Sequence, residues 1–402
     1  MSTKPIRVPS YGILLTTCCV VTHVYYLGSY MRIPVVPLFA RSLGATTAQV
    51  GIINGTFLLM AGLLSLPLGM LSDRIGRKLL ILTGLLIASC TSFLLCISAT
   101  PVGMMAIYLV FGVGLAAFAP TMMSYVADFS PTTHLGRSYG YYTMALYAGM
   151  SLGPGVGGLM AEELGYKAVF VISGVIILIT LGIVFFFLPR ARHIVARRPE
   201  RPPVGTIARG LFRNRRLLAC WMVTIGSCLA MGTFITFVPL FAKDQGISLG
   251  QIGLIFMVQA VFSALSRIPF GRLIDRVTRK DPLVAIGLLG LTASIGGVAL
   301  ASSIHGFLLC ATGAGISMGL AFTSVGALIP EVVSADARGL AMGGYNSAIY
   351  LGMMMGSLVM GLLISRIGFS GAFYLAALIN AVTMIAFQLL FSLARSSERI
   401  GA

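Results

Sequence analysis

The chain has 402 residues, of which 57% are hydrophobic and only 10% charged, and its mean hydropathy is +0.96. A soluble domain of this length would carry far more charge on its exterior, so the composition excludes a soluble globular protein. The net charge of +17 does not indicate nucleic-acid binding, because nine arginines lie in one segment at 190–216 and most other basic residues flank apolar runs.

Twelve apolar runs are long enough to cross a bilayer, whose hydrocarbon core of ~30 Å needs roughly 20 residues of helix. They lie at about 11–40, 46–72, 79–98, 102–127, 138–161, 168–189, 217–242, 248–270, 282–302, 305–330, 339–364 and 370–394. The 48 glycines fit this prediction, since helices in lipid associate by close approach of their backbones. We therefore predict an all-α polytopic membrane protein with twelve transmembrane helices.

The distribution of positive charge predicts the orientation. With both termini and the 190–216 segment inside, 22 lysines and arginines are cytoplasmic, and only Arg41, Lys167, Lys243 and Arg366 lie outside. This asymmetry is the positive-inside pattern, and it predicts a multi-pass protein of the inner membrane with both termini in the cytoplasm. The seven cysteines lie inside apolar runs without metal-ligand spacing, so we expect buried thiols, no metal and no cofactor.

An internal repeat divides the chain. Residues 36–78 align without a gap onto 238–280: both copies begin with Val-Pro-Leu-Phe-Ala and end with Gly-x-x-x-Asp-Arg-x-x-Arg-Lys. Both copies run from outside to inside, so the repeat is parallel. It predicts an N-terminal six-helix bundle at 1–189, a cytoplasmic Arg-rich linker at 190–216 and a C-terminal six-helix bundle at 217–402.

The loop after the second span, Gly69-Met-Leu-Ser-Asp-Arg-Ile-Gly-Arg-Lys78, resembles the loop signature of the major facilitator superfamily. A degenerate copy follows the eighth span, and the resemblance covers essentially the whole chain. It implies two pseudo-symmetric bundles around a cavity that opens alternately to each side. It also implies a gating loop, made of Gly69, Asp73, Arg74, Gly76, Arg77, Lys78, Asp128, Asp275 and Arg276.

Within this gating loop, the family pattern sets Asp73, one residue past a helix end, against the start of the eleventh span. It sets Arg77 against Asp128 at the end of the fourth span. Such contacts would favour the outward-open state. The alternative is that these charges only fix the topology of the loop.

A second signature lies in the fifth span, where Gly149, Gly153, Pro154, Gly157 and Gly158 form Gly-x-x-x-Gly-Pro-x-x-Gly-Gly. It resembles the motif of the 12-span drug/proton antiporters of this superfamily and therefore implies export. Gly149, Gly153 and Gly157 share one helix face, which allows a neighbouring helix to approach closely. Packing between small residues, without a role in export, is the alternative.

The chain departs from these antiporters in the fourth span. They usually carry an arginine, tied to proton coupling, four residues before a glycine. Here Tyr108 stands at that distance before Gly112.

Ionisable side chains inside a membrane are costly and mark candidate functional positions. At 100° per residue, His23 and Arg32 of the first span point about 180° apart, so a straight helix cannot aim both into one cavity. Arg32 could instead extend to the outer surface, and His23 could be a packing residue. The candidates for substrate or proton contact are His23, Tyr26, Tyr30, Arg32, Thr121, Tyr125, Gln259, Arg267 and Asn346.

These patterns predict a secondary transporter, working as a monomer, that exports small amphiphilic organic molecules in exchange for protons. His23 or Asp128 would carry the proton. The alternative is a transporter that moves an anionic metabolite, with a carboxylate or phosphate, through a cationic cavity formed by Arg32 and Arg267. We expect no enzymatic activity, because the sequence has no catalytic motif and its four histidines are scattered.

Overall fold

The computed structural model describes residues 10–189 and 209–400, with only the backbone of residues 132, 335 and 393–400. This part of the chain is helical and contains no strand. Ten stretches are long and apolar enough to cross a membrane. One of them, Arg338–Ser392, contains two spans that meet at Gly368, and the glycine-rich helix Leu135–Leu164 completes the twelve. The predicted twelve-helix membrane fold is confirmed.

The first six spans are formed by seven helices, numbered in chain order. They are α1 (Tyr11–Tyr30), α2 (Val35–Ser42), α3 (Thr47–Ile75), α4 (Arg77–Ile97), α5 (Pro101–Phe129), α6 (Leu135–Leu164) and α7 (Tyr166–Phe187). The second six spans are formed by five helices, because the last contains two spans. They are α8 (Arg215–Asp244), α9 (Leu249–Arg276), α10 (Asp281–Val298), α11 (Ile304–Leu328) and α12 (Arg338–Ile400). Residues 190–208 of the predicted linker lie outside the described residues.

The first span is not the single helix predicted at 11–40. The helix α1 ends at Tyr30, a turn follows, and α2 begins at Val35. Pro34 and Pro37 cannot donate a backbone hydrogen bond, so an uninterrupted helix would lack these bonds near residue 35. The other helices start and end within a few residues of the predicted bounds, with α9 running six residues further than expected.

The repeat is visible in the way the helices begin. The hydroxyl of Thr46 accepts a hydrogen bond from the Gln49 amide at 3.2 Å, while the Gln49 side chain accepts one from the Thr46 amide at 2.9 Å. Ser248 and Gln251 form the same reciprocal capping box at the start of α9. Each box satisfies two amides that a helix N-terminus leaves without partners.

Glycines set the packing within each bundle. A Cβ added to Gly149, Gly153 or Gly157 of α6 would overlap the backbone of the first span. Gly352 and Gly356 of α12 contact the backbone of α8 in the same way. These glycines replace larger side chains where two helix backbones meet.

The buried apolar residues form three clusters, and their distribution divides the molecule lengthwise. Near the ion pair between Arg41 and Asp244, one cluster joins residues of both bundles, such as Phe39 and Phe241. At the other end, near Arg77, two separate clusters serve the N-terminal and the C-terminal bundle. The two bundles therefore pack against each other at one end of the molecule, which we call the Arg41 end. Toward the opposite end, which we call the Arg77 end, they are separate.

The close approach of α6 to the first span predicts a cost for a single methyl group. We expect Gly157→Ala to lower the free energy of unfolding by about 1–3 kcal/mol, because its Cβ would overlap the backbone of Met31. The measurement is the melting temperature of the purified protein in detergent.

Gly182→Ala is the matched control, since a Cβ there meets no atom within 4 Å and alanine favours a helix more than glycine does. The control should melt at or slightly above the temperature of the unmodified protein. Equal melting temperatures for the two variants would contradict the packing described here.

Candidate functional site

Polar contacts hold the two bundles together at the Arg41 end. Arg41 Nη1 lies 2.7 Å from Asp244 Oδ1. Glu162 Oε2 accepts hydrogen bonds from Ser248 Oγ at 2.9 Å and from the Gly250 amide at 2.6 Å. A carboxylate at the start of α9 interacts favourably with the positive end of the helix dipole. These contacts link α2 to α8 and α6 to α9.

A second group of contacts lies deeper between the bundles. Asn54 Nδ2 donates to Thr236 Oγ1 at 3.2 Å, and the Thr236 hydroxyl lies 2.7 Å from that of Ser357. Thr47 Oγ1 donates to the Gly361 carbonyl at 3.0 Å. All these polar groups find partners across the interface or next to it, so the Arg41 end is closed.

The interface between α3 and α12 loosens along its length. A Cβ on Gly55 would lie 2.8 Å from Leu358, and one on Gly62 would lie 3.0 Å from Tyr350. Seven residues further, a Cβ on Gly69 would meet no atom within 4 Å. Two antiparallel helices with this register would bring Gly69 opposite Gly343, and a Cβ on Gly343 also meets nothing.

The interface between α6 and α9 shows the same gradient. Gly158 and Gly253 are packed so closely that a Cβ on Gly158 would lie 2.7 Å from Gly253 Cα. At the Arg77 end, Gly140 of α6 and Gly271 of α9 have open space at their Cβ positions. Gly69 and Gly271 are equivalent in the repeat, so both copies of the loop signature begin where the interfaces have opened.

A group of aromatic side chains lies at the level where the two interfaces begin to separate. The guanidinium carbon of Arg267 lies 4.6 Å from the ring centroid of Tyr147, which belongs to the other bundle. The phenol of Tyr30 is close enough to Tyr147 and Tyr350 to interact electrostatically with both. The group is completed by Tyr26, whose ring centroid is 5.8 Å from that of Tyr30, and by Tyr345, which interacts electrostatically with Arg267. We call these residues the tyrosine cluster: Tyr26, Tyr30, Tyr147, Tyr345 and Tyr350.

The tyrosine cluster with Arg267 is the candidate substrate site. It combines aromatic faces, hydroxyl groups and one cation at the boundary between the bundles, which suits a molecule with both apolar and polar parts. Tyr26, Tyr30 and Arg267 are among the predicted candidates. Tyr147 was missed, although it stands at the position equivalent to Tyr350 when the second parts of the two halves are aligned with an offset of 203.

Several predicted candidates lie away from this cluster. Tyr125 donates to the Pro189 carbonyl at 2.9 Å, and Gln259 donates to Met318 Sδ at 3.4 Å within the C-terminal bundle. Thr121 is buried inside the N-terminal bundle, while Asn346 is exposed. The first two side chains therefore make contacts within a bundle.

His23 and Arg32 point to different neighbours. His23 Nδ1 lies 3.3 Å from the Ala145 carbonyl of α6. Arg32 is buried against Phe111 of α5 and does not extend to the surface, because only 1% of the residue is exposed. Neither belongs to the tyrosine cluster as defined here.

The gating loop contains a small network of charges. Arg77 bonds to Asp128 through two nitrogens, one of them Nη2 at 3.2 Å from Oδ1, and its Nη2 also lies 3.0 Å from Asp73 Oδ1. The contact predicted between Arg77 and Asp128 is present. Asp73, however, lies within α3, which runs to Ile75, and its ion pair is with Arg77. The prediction that it stands past the helix end was wrong.

Gly76 explains why the first copy of the loop is so short. Its φ of 102° is a conformation that residues with a Cβ rarely adopt, and it lets α4 begin at the next residue. In the second copy, Thr278 stands at this position, and four residues separate α9 from α10. The second, degenerate copy therefore has a longer turn between its two helices than the first copy.

The second half has its own ion pair, which the sequence reasoning missed. Lys280 Nζ bonds to Glu331 Oε1, and Arg279 Nη2 lies 3.0 Å from Asp281 Oδ2. Glu331 is equivalent to Asp128 only with an offset of 203 rather than 202, so the gap-free alignment of 36–78 did not reveal it. The side chains of Asp275 and Arg276 are exposed.

Comparison with known proteins gives a consistent family match. The model described as Major Facilitator Superfamily matches residues 18–248 and 220–400. An uncharacterized MFS-type transporter of Methanocaldococcus jannaschii is 23% identical over 91% of this chain and 95% of its own length. The inner membrane transport protein YajR of Escherichia coli is 24% identical over 89% of this chain and 78% of its length. The quinolone resistance protein NorA of Staphylococcus aureus is 30% identical over 40% of each chain.

Solved structures share the fold. A bacterial homolog of the human lysosomal transporter Spinster, in an inward-facing and unoccupied conformation, superposes with a TM-score of 0.79 at 15% identity and covers 97% of this chain and 96% of its own. The nucleoside transporter NupG superposes with a TM-score of 0.82 at 15% identity, covering 94% and 100%. At this identity, the similarity concerns the fold alone.

The charge network predicts unequal coupling at the two ends. A double-mutant cycle with Arg77→Gln and Asp128→Asn should give a coupling energy of about 1 kcal/mol, because the Arg77 side chain is only 16% exposed and bonds through two nitrogens. The measurement is the stability of the four proteins toward denaturant in detergent.

The matched cycle with Arg41→Gln and Asp244→Asn should give less, roughly 0.5 kcal/mol or below, since these side chains are 45% and 37% exposed. A coupling energy at Arg41 larger than at Arg77 would show that this account of the network is wrong.

Proposed function

Because the chain belongs to the major facilitator superfamily, we propose that it is a secondary active transporter that works by alternating access and exports small amphiphilic organic molecules in exchange for protons. One observation carries this proposal: both interfaces between the bundles are packed at the Arg41 end and open at the Arg77 end, with the tyrosine cluster between. A rocking motion of two such bundles would expose the cluster to one side at a time.

The orientation is part of the proposal. The asymmetry of lysine and arginine supports a cytoplasmic Arg77 end and cytoplasmic termini in the inner membrane. With that orientation, the conformation described here opens toward the cytoplasm, where an exporter takes up its substrate. YajR, whose match covers most of both chains, is an inner membrane transport protein.

The outward-open state would require the opposite set of contacts. Closing the Arg77 end along the existing register brings Gly69 onto Gly343 and Gly140 onto Gly271, and no Cβ obstructs these approaches. The same motion separates Arg41 from Asp244 and Glu162 from α9. Asp73 would then approach the N-terminus of α12, whose helix dipole favours a carboxylate.

The substrate class follows from the candidate site. Tyrosine rings offer wide apolar faces, and their hydroxyls offer hydrogen bonds, so the cluster suits amphiphilic molecules better than purely polar ones. The fifth-span motif supports export, since Gly149 and Gly153 of α6 pack on the first span beside Tyr26 and Tyr30. NorA, which matches part of the chain, is a quinolone resistance protein.

Two groups are proposed as proton carriers. The side chain of His23 on α1 faces α6, and its ring nitrogen Nδ1 faces the Ala145 carbonyl. A change in the charge of His23 would therefore alter the contact between α1 and α6, the helix that contains the fifth-span motif. Asp128 neutralises Arg77 in the gating loop, and protonating it would weaken that network. The described acidic residues lie near the ends of the spans rather than at mid-membrane.

Coupling to protons predicts that transport responds to the pH gradient. In vesicles that contain the protein, uptake or efflux of an amphiphilic dye such as ethidium should stop when the gradient is collapsed. His23→Gln, which keeps a hydrogen-bonding side chain but cannot titrate, should lose most of this dependence. His305→Gln, the same substitution at an exposed histidine at the start of α11, is the control. Transport that continues unchanged without a pH gradient would refute proton coupling.

A second function, transport of an anionic metabolite by exchange or symport, is favoured by Arg267. Its guanidinium faces the tyrosine cluster, and its buried Nε has no hydrogen-bond partner. For an anionic substrate, Arg267→Lys should weaken binding about tenfold or more, because lysine cannot bind a carboxylate through two parallel hydrogen bonds.

The measurement is a thermal-shift titration with cationic, neutral and anionic compounds, since a ligand stabilises the folded protein in proportion to RT ln(1 + [L]/Kd). Stabilisation by anions alone, lost in Arg267→Lys, would favour the second function. Stabilisation by cationic or neutral amphiphiles that survives this substitution would favour the first.

A further inference from the structure

Arg32 is a buried cation without a partner. It lies in the turn between α1 and α2, is 1% exposed, and none of its three guanidinium nitrogens has a hydrogen-bond partner. It interacts electrostatically with the phenols of Tyr108 and Tyr25. Placing an unpaired charge in such surroundings costs several kcal/mol.

The contacts of Arg32 within the chain offset only part of this cost. Its guanidinium carbon lies 4.3 Å from the ring centroid of Phe111, which is a cation–π contact. No described carboxylate pairs with Arg32: Asp128, for example, bonds to Arg77, and Asp244 pairs with Arg41. His23, the other ionisable group of the first span, faces α6 instead.

The geometry of this contact leaves the hydrogen-bond donors of Arg32 free. The guanidinium carbon lies over the Phe111 ring, and none of the three guanidinium nitrogens has a hydrogen-bond partner. An edge with parallel N–H groups matches the two oxygens of a carboxylate, and such charge-assisted bonds are among the strongest in proteins. The phenols of Tyr25 and Tyr108 interact electrostatically with Arg32, and phenol hydroxyls can donate hydrogen bonds to an anion.

We propose that Arg32 is a binding site for one small monovalent anion beside the tyrosine cluster. Tyr25 links the two, because it interacts electrostatically with Arg32 and its ring centroid lies 5.2 Å from that of Tyr26. The anion would be either the carboxylate of an organic solute or an inorganic ion such as chloride. This inference goes beyond the proposed function, because a transporter of amphiphilic cations or neutral molecules can also carry an anion site.

Access to the site depends on the state of the bundles. Tyr108 belongs to the apolar cluster that joins the two bundles at the Arg41 end, whereas Phe111 and Tyr25 belong to the cluster of the N-terminal bundle alone. Arg32 packs on Phe111 and interacts electrostatically with Tyr108 and Tyr25, so it borders the apolar cluster that separates when the Arg41 end opens. The anion enters and leaves through that opening, and the conformation described here encloses the site.

The test uses the purified full chain in detergent, in a buffer whose only anion is a bulky sulfonate. Sodium acetate or sodium chloride is added as the probe, and the melting temperature is followed. One or both probes should raise the melting temperature of the unmodified protein along a saturable curve. Saturation by acetate alone identifies a carboxylate site, and saturation by chloride identifies an inorganic one.

Three variants separate anion binding from a structural role. Arg32→Met removes the charge at similar volume, so it should abolish the saturable response and raise the melting temperature in the sulfonate buffer. Arg32→Lys keeps the charge and replaces Arg32→Met in the test if the methionine variant does not fold. It should raise the apparent Kd for the anion about tenfold. Arg366→Met, the same substitution at an exposed arginine that belongs to neither proposed site, is the control and should keep the response.

Two results would overturn the proposal. One is a saturable response that persists in Arg32→Met, which would assign the anion to another site. The other is an unmodified protein whose melting temperature does not respond to either probe, together with a lower melting temperature of Arg32→Met. Arg32 would then stabilise the fold by packing alone. Either result leaves alternating access intact, because the tyrosine cluster and the bundle interfaces do not depend on Arg32.

Discussion

Close packing between small residues is the constraint on which the rest of this structure depends. Lipid tails are as apolar as leucine side chains, so two bundles in a bilayer gain little from the hydrophobic effect and must fit by contact. Here glycines in both interfaces make this contact possible, since they allow helix backbones to meet at Gly51 and Gly158. The same small residues also allow the helices to part without leaving bulky side chains unpacked. An interface built in this way can close at either end.

The energies of the contacts fit a molecule that moves between states. The exposed ion pair of Arg41 with Asp244 contributes at most about 1 kcal/mol. Glu162 at the start of α9 adds an amount of similar size, about 0.3–1 kcal/mol for a charge at a helix end. If contacts of comparable strength form at the Arg77 end, the two states differ by only a few kcal/mol, and a ligand or a proton can shift their populations.

Much of the fold could be predicted from the sequence, because the relevant signals are local. The length of the apolar runs predicts the twelve spans, and the repeat at 36–78 predicts two equivalent halves. The contact of Arg77 with Asp128 followed from the family resemblance. The structure adds the break after Tyr30, the position of Asp73 inside α3, and the pair of Lys280 with Glu331, which needs a shift of register that the aligned segment does not contain.

The candidate site was harder to predict than the fold, because it combines residues from distant helices. The tyrosine cluster joins the first, fifth and eleventh spans, and no spacing within one span indicates that these rings meet. The central claim, that the two ends open and close in opposition, is tested most directly by distances between spin labels in a cysteine-free background. The label pairs are Ile75→Cys with Gly339→Cys at the Arg77 end and Lys167→Cys with Lys243→Cys at the Arg41 end. If the two ends alternate, a change of pH or an amphiphilic ligand shortens the distance at the Arg77 end and lengthens the distance at the Arg41 end. Two distances that change in the same direction, or a distance at the Arg77 end that never shortens, would show that the ends do not alternate.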